Sequence, residues 1–340
     1  MLSIISSSYK KFSHLLIHLC AKKILNFCVS TKCFEKFSLL KKLQQDRSCP
    51  QIIFSNYFLV INISHNFLAV HKEAIALVVR AGQVMRDGYY QEKQVSTKTA
   101  FYDMVTEYDK QIEDLLINGI LEKYPLHKFI GEEEASQRTT KSVLTDDPTW
   151  IIDPIDGTTN FIKKIPHACI SIALTIKKEL EIGIVFNPVS NELFTAKRGK
   201  GAYLNGQKIH ASDCDKLNDA VIGFELSLIH AASIRDRYIK RFYKLSSKTR
   251  GTRSFGSAAL ALCYVANGSL DCYHVEDLKS WDIAAGALIL REAGGHICHT
   301  TGAPLDIMKP DLVSASTKAL SEEIIAQIVE ANNMNHVFFE

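Results

Sequence analysis

Trp150-Ile-Ile-Asp-Pro-Ile-Asp-Gly-Thr-Thr-Asn-Phe161 is the stretch on which the reading of the chain turns. The apolar run from Trp150 to Ile152 reads as the end of a buried strand, and Pro154 stops it directly after Asp153. Asp156 comes three residues after Asp153, and Gly157-Thr158-Thr159-Asn160 supplies turn and helix-start chemistry. Two carboxylates at a strand end, beside backbone N–H groups freed at a helix start, make a place for a hard cation and an anion together. A solvated turn is the plain alternative, and for Asp153-Pro-Ile-Asp-Gly157 alone it would be the better one.

Downstream, Trp281-Asp-Ile-Ala-Ala-Gly-Ala-Leu-Ile-Leu-Arg-Glu-Ala-Gly-Gly295 reads as a helix opened by Asp282 and closed by glycine. Taken alone, Asp282 is an ordinary first-turn acid. Upstream, Phe129-Ile-Gly-Glu-Glu-Glu134 reads as a short strand running into acids, which sets Glu132 at a strand terminus facing Asp153. Acids in a row at such a place are otherwise solvated. Thr106-Glu-Tyr-Asp109 has the capping-box pattern and opens a helix whose apolar face is Ile112, Leu115, Leu116 and Ile120. That pattern alone gives Asp109 a capping role. Ahead of it, Val70, Ala74, Val78, Ala81 and Met85 recur at helical spacing, predicting a helix from about His65 to Gly88. The middle of the chain is rich in strand signals, with predicted strands at 168–176 and 180–186 joined through Lys177-Lys-Glu179. Asn205-Gly206 is a strong hairpin signal. Strand and helix patterns then alternate to the C-terminal helix, which predicts layered sheets and helices.

Composition sets bounds rather than answers. The chain has 340 residues, 46% hydrophobic and 23% charged, with a net charge of +3, values typical of a globular protein. No basic stripe interleaved with aromatics points to nucleic acid, and no apolar run reaches transmembrane length. Nine cysteines stand without C-x-x-C pairing, so reduced thiols in a cytoplasmic setting are the expectation. The first 60 residues carry nine Lys and Arg against two acids, a weak resemblance to an organellar transit segment. Residues 1–64 are therefore expected to be a basic, poorly ordered extension, and 65–340 the functional domain. Phe58–Ile63 is apolar enough for a strand or a packing arm.

The two long strings, in this order, resemble the two signatures of the inositol monophosphatase family, Mg²⁺-dependent and lithium-sensitive phosphatases. The resemblance runs from about residue 66 to 330. It implies an α+β or α/β fold, the layered αβαβα sandwich of the inositol monophosphatase and fructose-1,6-bisphosphatase type. It also implies a homodimer and two or three Mg²⁺ ions per subunit. Carried over position by position, Glu132, Asp153 and the Ile155 carbonyl would hold one ion. Asp153, Asp156 and Asp282 would hold a second. Thr158 and Glu132 would position and activate water, with Asp109 hydrogen-bonded to Thr158. The substrate would meet Lys98, Asp156, Gly157, Thr158, Asp282 and the backbone of Gly256, Ser257 and Ala258. The all-oxygen ligand set suits Mg²⁺ and argues against zinc. The family glutamate that faces inositol stands seven residues before the metal aspartate. Here Val275 holds that place and Glu276 comes one later, so a bulge or turn is expected to swing Glu276 into the pocket. The implied activity is hydrolysis of inositol monophosphate. Alternatives are another small phosphate monoester (a sugar phosphate or adenosine bisphosphate) or a catalytically silent interaction protein of the same fold. Thr158-Thr-Asn-Phe161 follows the inositol branch.

Overall fold

The structure, a computed structural model, describes residues 50–98, 104–136, 142–230 and 232–335. The expectations for residues 1–49 lie outside the described residues. The chain divides into two compact units, Met1–Ala69 and Val70–Glu340. Helix α1 (Pro50–Tyr90) has residues in both. It begins well before the expected start, and Phe58–Ile63 is helical rather than a strand. An apolar run of that length does not by itself separate helix from strand, and here helical spacing continues through it.

The second unit is built in layers. A short antiparallel pair, β1 (Val95–Thr97) and β2 (Met104–Thr106), leads into α2 (Glu107–Lys123). Then come β3 (Lys128–Gly131), α3 (Glu132–Ser136), β4 (Thr149–Asp156), α4 (Thr158–Lys163), β5 (Cys169–Ile176), β6 (Glu179–Asn187), β7 (Glu192–Lys197), β8 (Ala202–Leu204) and β9 (Gln207–Ile209). These strands form one sheet in the order β3-β4-β5-β6-β7-β8-β9, with β3 parallel to β4 and every later pair antiparallel. Asn205 and Gly206 both take positive φ, as a two-residue hairpin turn requires.

A second sheet collects β10 (Val221–Phe224), β11 (Gly251–Arg253), β12 (Cys272–Val275), β13 (His296–His299) and β14 (Leu312–Ala315), in the order β11-β10-β12-β14-β13. Between the sheets lie α6 (Ala258–Ala266) and α7 (Ser280–Glu292), whose alanine-rich faces allow close packing against each other and β6. Gly183 of β6 lets the α7 backbone approach; a Cβ there would sit 2.7 Å from the Ala285 carbonyl oxygen. On the outer face of the second sheet, α5 (Arg235–Ser246) packs with α8 (Lys318–Asn332). On the outer face of the first, the Gly82 turn of α1 meets the Phe186 ring, and α2 packs against β4. The sequence of layers is αβαβα. Among the described residues, no helix is long and apolar enough to cross a membrane.

Candidate functional site

The site grows from one irregularity in β4. Asp153 pairs with Ser171 of β5 and Asp156 with Cys169, so three steps on β4 oppose two on β5. Residues three apart on a regular strand face opposite sides of the sheet. The extra residue of this bulge, at a proline that could not have continued the ladder, turns both carboxylates to one side. There they meet Asp282 in the first turn of α7, and carboxylate oxygens of the three lie within 4.8 Å of one another. Asp153 accepts the Ile155 N–H at 3.0 Å and Asp282 that of Lys279 at 2.6 Å. Asp156 accepts from Ser257 Oγ at 2.6 Å and from the Ala259 N–H at 2.7 Å, which fastens β4 to the positive end of α6.

Gathering these acids has an electrostatic cost. Burial pushes the Asp156 carboxyl up to about 6, even against the bonds from Ser257 and Ala259. Asp153 lies well above the usual carboxylate range through burial and then the charges of Glu132 and Asp156. Asp282 lies well above it through burial and then Asp156. Buried like charges of this kind call for a cation. Every donor is a hard oxygen, which fits Mg²⁺ rather than a softer metal.

Glu132 joins from the neighbouring strand. Parallel pairing sets Gly131 beside Ile152, and Glu132, the next residue, opens the single turn α3 rather than ending the strand. Lys98 reaches in from the end of β1, with Nζ 2.7 Å from Glu132 and 2.6 Å from Glu133. Burial works to lower the Lys98 pKa, but the two carboxylates outweigh it and raise it. From below, buried Glu113 of α2 accepts the N–H groups of Glu133 and Glu134, each at 3.0 Å. It holds the turn that carries Glu132.

The expected bond between Asp109 and Thr158 is not made. Asp109 Oδ2 takes the Thr106 N–H at 2.8 Å and the Thr106 hydroxyl at 2.6 Å, and Oδ1 has no hydrogen-bond partner. The capping box at the start of α2 is therefore real, and burial pushes the Asp109 carboxyl up to about 7. Thr158 Oγ1 instead donates to the Ile155 carbonyl at 3.0 Å. A carbonyl oxygen has two lone pairs, so the carbonyl keeps capacity for a cation.

Gly157 takes φ +88° where the strand turns into α4, and a Cβ there would lie 2.8 Å from His167 O and 3.0 Å from Gly256 O. That close approach brings the loop 254–257 against the central motif. Asn160 Nδ2 donates to His167 O at 2.7 Å and to Phe255 O at 2.6 Å.

A model of the inositol monophosphatase family matches residues 68–333. The chain belongs to the inositol monophosphatase family. Inositol monophosphatase 2 of Homo sapiens is 41% identical over 261 residues, covering 76% of this chain and 90% of that protein. Among solved structures, extragenic suppressor protein suhB from Bartonella henselae superposes with a TM-score of 0.69 at 30% identity, covering 76% of this chain and 98% of that one. SaIMPase-II, of Staphylococcus aureus, has been solved with inositol monophosphate bound (TM-score 0.65, 29% identity, 77% and 94% covered). It has also been solved with 2'AMP (TM-score 0.67, 29% identity, 78% and 95% covered). The layered fold and the phosphatase class expected from the two signatures stand confirmed.

The departure at Glu276 takes a form the family pattern did not suggest. Asp277 does turn the chain, with φ +60°, but the Glu276 carboxylate goes to α5. It is buried and pairs with Arg241 and, at 2.9 Å, with Arg237. Its two partners take the oxygens that were expected to face the substrate. Glu113 and Glu225, which the sequence reading did not single out, are buried acids that accept backbone N–H groups of the turn carrying Glu132 and of the loop at 254–256.

Proposed function

We propose that this chain hydrolyses inositol monophosphate to inositol and phosphate with Mg²⁺ as cofactor. The observation that carries the reading is the set of carboxylates Asp153 and Asp156, both buried, and half-buried Asp282, gathered within 4.8 Å at a strand bulge and two helix starts. In this reading Glu132, Asp153 and the Ile155 carbonyl would hold one ion, and Asp153, Asp156 and Asp282 would hold a second. Bound there, Mg²⁺ would neutralise phosphoryl charge and ease loss of a proton from water. The chain's own residues do the rest. Glu132, directed by Lys98, and Thr158 orient the attacking water in line with the leaving alcohol. Amides at Gly157 and Thr158 receive phosphoryl oxygens at the helix start. Gly256, Ser257 and Ala258 meet the alcohol. A homodimer, lithium sensitivity and a cytoplasmic setting follow the same family resemblance and belong to the proposal, as does a catalytic role confined to the family-matched segment.

A second reading, action on another small phosphate monoester, is favoured by the 2'AMP-bound relative and by the arginines that occupy Glu276. The test is phosphate release by the full chain from inositol 1-phosphate, galactose 1-phosphate and adenosine 3′,5′-bisphosphate, with Mg²⁺ and with chelator. Release from inositol 1-phosphate with the highest kcat/KM, abolished by chelator, is expected. A higher value for either other ester selects the second reading, and metal-independent release overturns both.

Glu113 gives a sharper check on the metal set. Glu113→Gln offers an amide NH₂ where one of two backbone N–H groups needs an acceptor, so Glu132 loses its fixed position. The Mg²⁺ concentration for half-maximal activity should rise about tenfold, as for outer-shell groups of other metal sites. An unchanged Mg²⁺ dependence would remove Glu132 from the set.

A further inference from the structure

The loop that runs from β11 into α6 is held from two sides. On the side of the metal carboxylates, Asn160 bonds the Phe255 carbonyl and Asp156 takes Ser257 and Ala259. The Phe255 ring packs there between His167 and Tyr264, each with centroids 5.2 Å away. On the other side stands Glu225, directly after β10 and buried. Its Oε1 accepts the Phe255 N–H at 3.1 Å, and its Oε2 accepts Ser254 Oγ at 2.9 Å and the Gly256 N–H at 3.0 Å. Both oxygens are thus given to this one loop. The buried hydroxyls of Tyr238 and Tyr273, near enough to feel its charge, make no hydrogen bond at all.

Gly256 is exposed and in the left-handed region at φ +69°, and a Cβ on it would meet Asn160 Nδ2 at 3.0 Å. A backbone in that region has no regular ladder to hold it, so its shape depends on the bonds at either end. Bonds from N–H groups to a buried carboxylate are of the strong, charge-assisted kind.

We propose that Glu225 is a positioning residue that sets the shape of the alcohol-facing edge at Gly256–Ala258, and through it the selectivity among phosphate esters. This rests on the reading of that edge as the alcohol contact. Asp156 of the metal set bonds the far end of this edge, at Ser257 and Ala259 at the start of α6, whereas Glu225 bonds only its near end at Ser254–Gly256. Glu225 therefore acts mainly on recognition of the alcohol rather than on activation by metal.

Glu225→Gln keeps the side-chain shape but turns an NH₂ toward donors that need an acceptor. Steady-state constants of the full chain would be compared for inositol 1-phosphate and 4-nitrophenyl phosphate at fixed Mg²⁺, with thermal unfolding alongside. KM for inositol 1-phosphate should rise about tenfold while both constants for the aryl ester move less than about twofold, because lost polar contacts discriminate only where hydroxyls are read. The half-activating Mg²⁺ concentration should not move. Ser254→Ala removes one donor only and should give a smaller shift of the same sign, which decides the matter if Glu225→Gln does not fold. Proportional losses on both substrates, or an unchanged ratio, would overturn the assignment. Should the wild type cleave the aryl ester but not inositol 1-phosphate, the substrate reading fails by itself. Glycerol 2-phosphate then serves as the polyol ester, and an unchanged ratio against it overturns the role of Glu225 independently.

Discussion

Asp153→Asn should reduce Mg²⁺-stimulated phosphate release by about a thousandfold or more and, in the same protein, raise the unfolding temperature measured with chelator. The activity loss follows from position, since Asp153 is the carboxylate shared by both proposed ion sites. Losing a charge that acts in both removes about 4 kcal/mol of transition-state stabilisation, at about 1.4 kcal/mol per tenfold. The stability gain follows from the same charge. Asp153 is buried among Glu132, Asp156 and Asp282, which all raise its pKa. An Asn fills the same space, keeps an oxygen for the Ile155 N–H and turns an NH₂ toward the remaining carboxylates. Relief of about 1 kcal/mol corresponds to about 1–2 °C in a chain of this size.

The pH dependence of the metal-free protein carries the same sign. A carboxyl whose folded pKa is raised binds its proton more tightly folded than unfolded, so stability falls as pH climbs above the ordinary carboxylate range. The asparagine variant should lose part of that slope. An active variant would end the two-ion assignment, and a chelated variant no more stable than wild type would show that the buried charges are not in conflict.

The parts of this site legible from sequence are those whose signal is local. Trp150–Phe161 declares a buried strand, a break and a helix start within one string, and Trp281–Gly295 does the same for α7. What local pattern could not give was the bulge, because the two aspartates face one way only through the offset of Ser171 and Cys169 on the partner strand. The loop-holding acids escaped for the same reason, their partners being backbone N–H groups 20 to 31 residues away. Glu113 did leave a trace. The buried stripe of α2 is Asp109, Ile112, Glu113, Leu116 and Ile120, so two acids stand where apolar residues belong. Local pattern in conflict with burial marks a place where function or loop geometry decides the residue. At Glu276 the reasoning stopped at the turn. The turn was right, but the cations that claim the carboxylate come from α5, whose own sequence reads as a basic, solvated face.

Arg241→Met should be the most destabilising of the substitutions considered at that cluster. Arg241 is buried, bonded to Glu276 through one terminal nitrogen and to Asn332 Oδ1 at 2.9 Å through Nε. Burial alone would raise the Glu276 carboxyl; His274, Arg241 and Arg237 outweigh that and lower it. Taking away one partner of a buried pair leaves the other charge uncompensated, at a cost of about 3–5 kcal/mol. Arg237 cannot make up the difference, because its side chain is 41% exposed and its attraction is screened by water. Arg237→Ala should accordingly cost about 1 kcal/mol or less. The sign with pH is fixed by the lowered carboxyl. The pair stabilises the fold above the ordinary carboxylate range, and that contribution is lost as pH falls and Glu276 takes up its proton. His274, held down to about 4 by burial, adds to the loss on the acid side, since the unfolded imidazole charges first. Chemical denaturation at pH 7 and at pH 4, below the ordinary Glu value, would therefore show the wild type approaching Arg241→Met as pH falls. Adding Glu276→Gln to Arg241→Met should recover most of the stability lost at pH 7, because it removes the orphaned charge. If the double variant is no better than Arg241→Met alone, the loss came from packing around the arginine and its bond to Asn332, and Glu276 does not depend on Arg241.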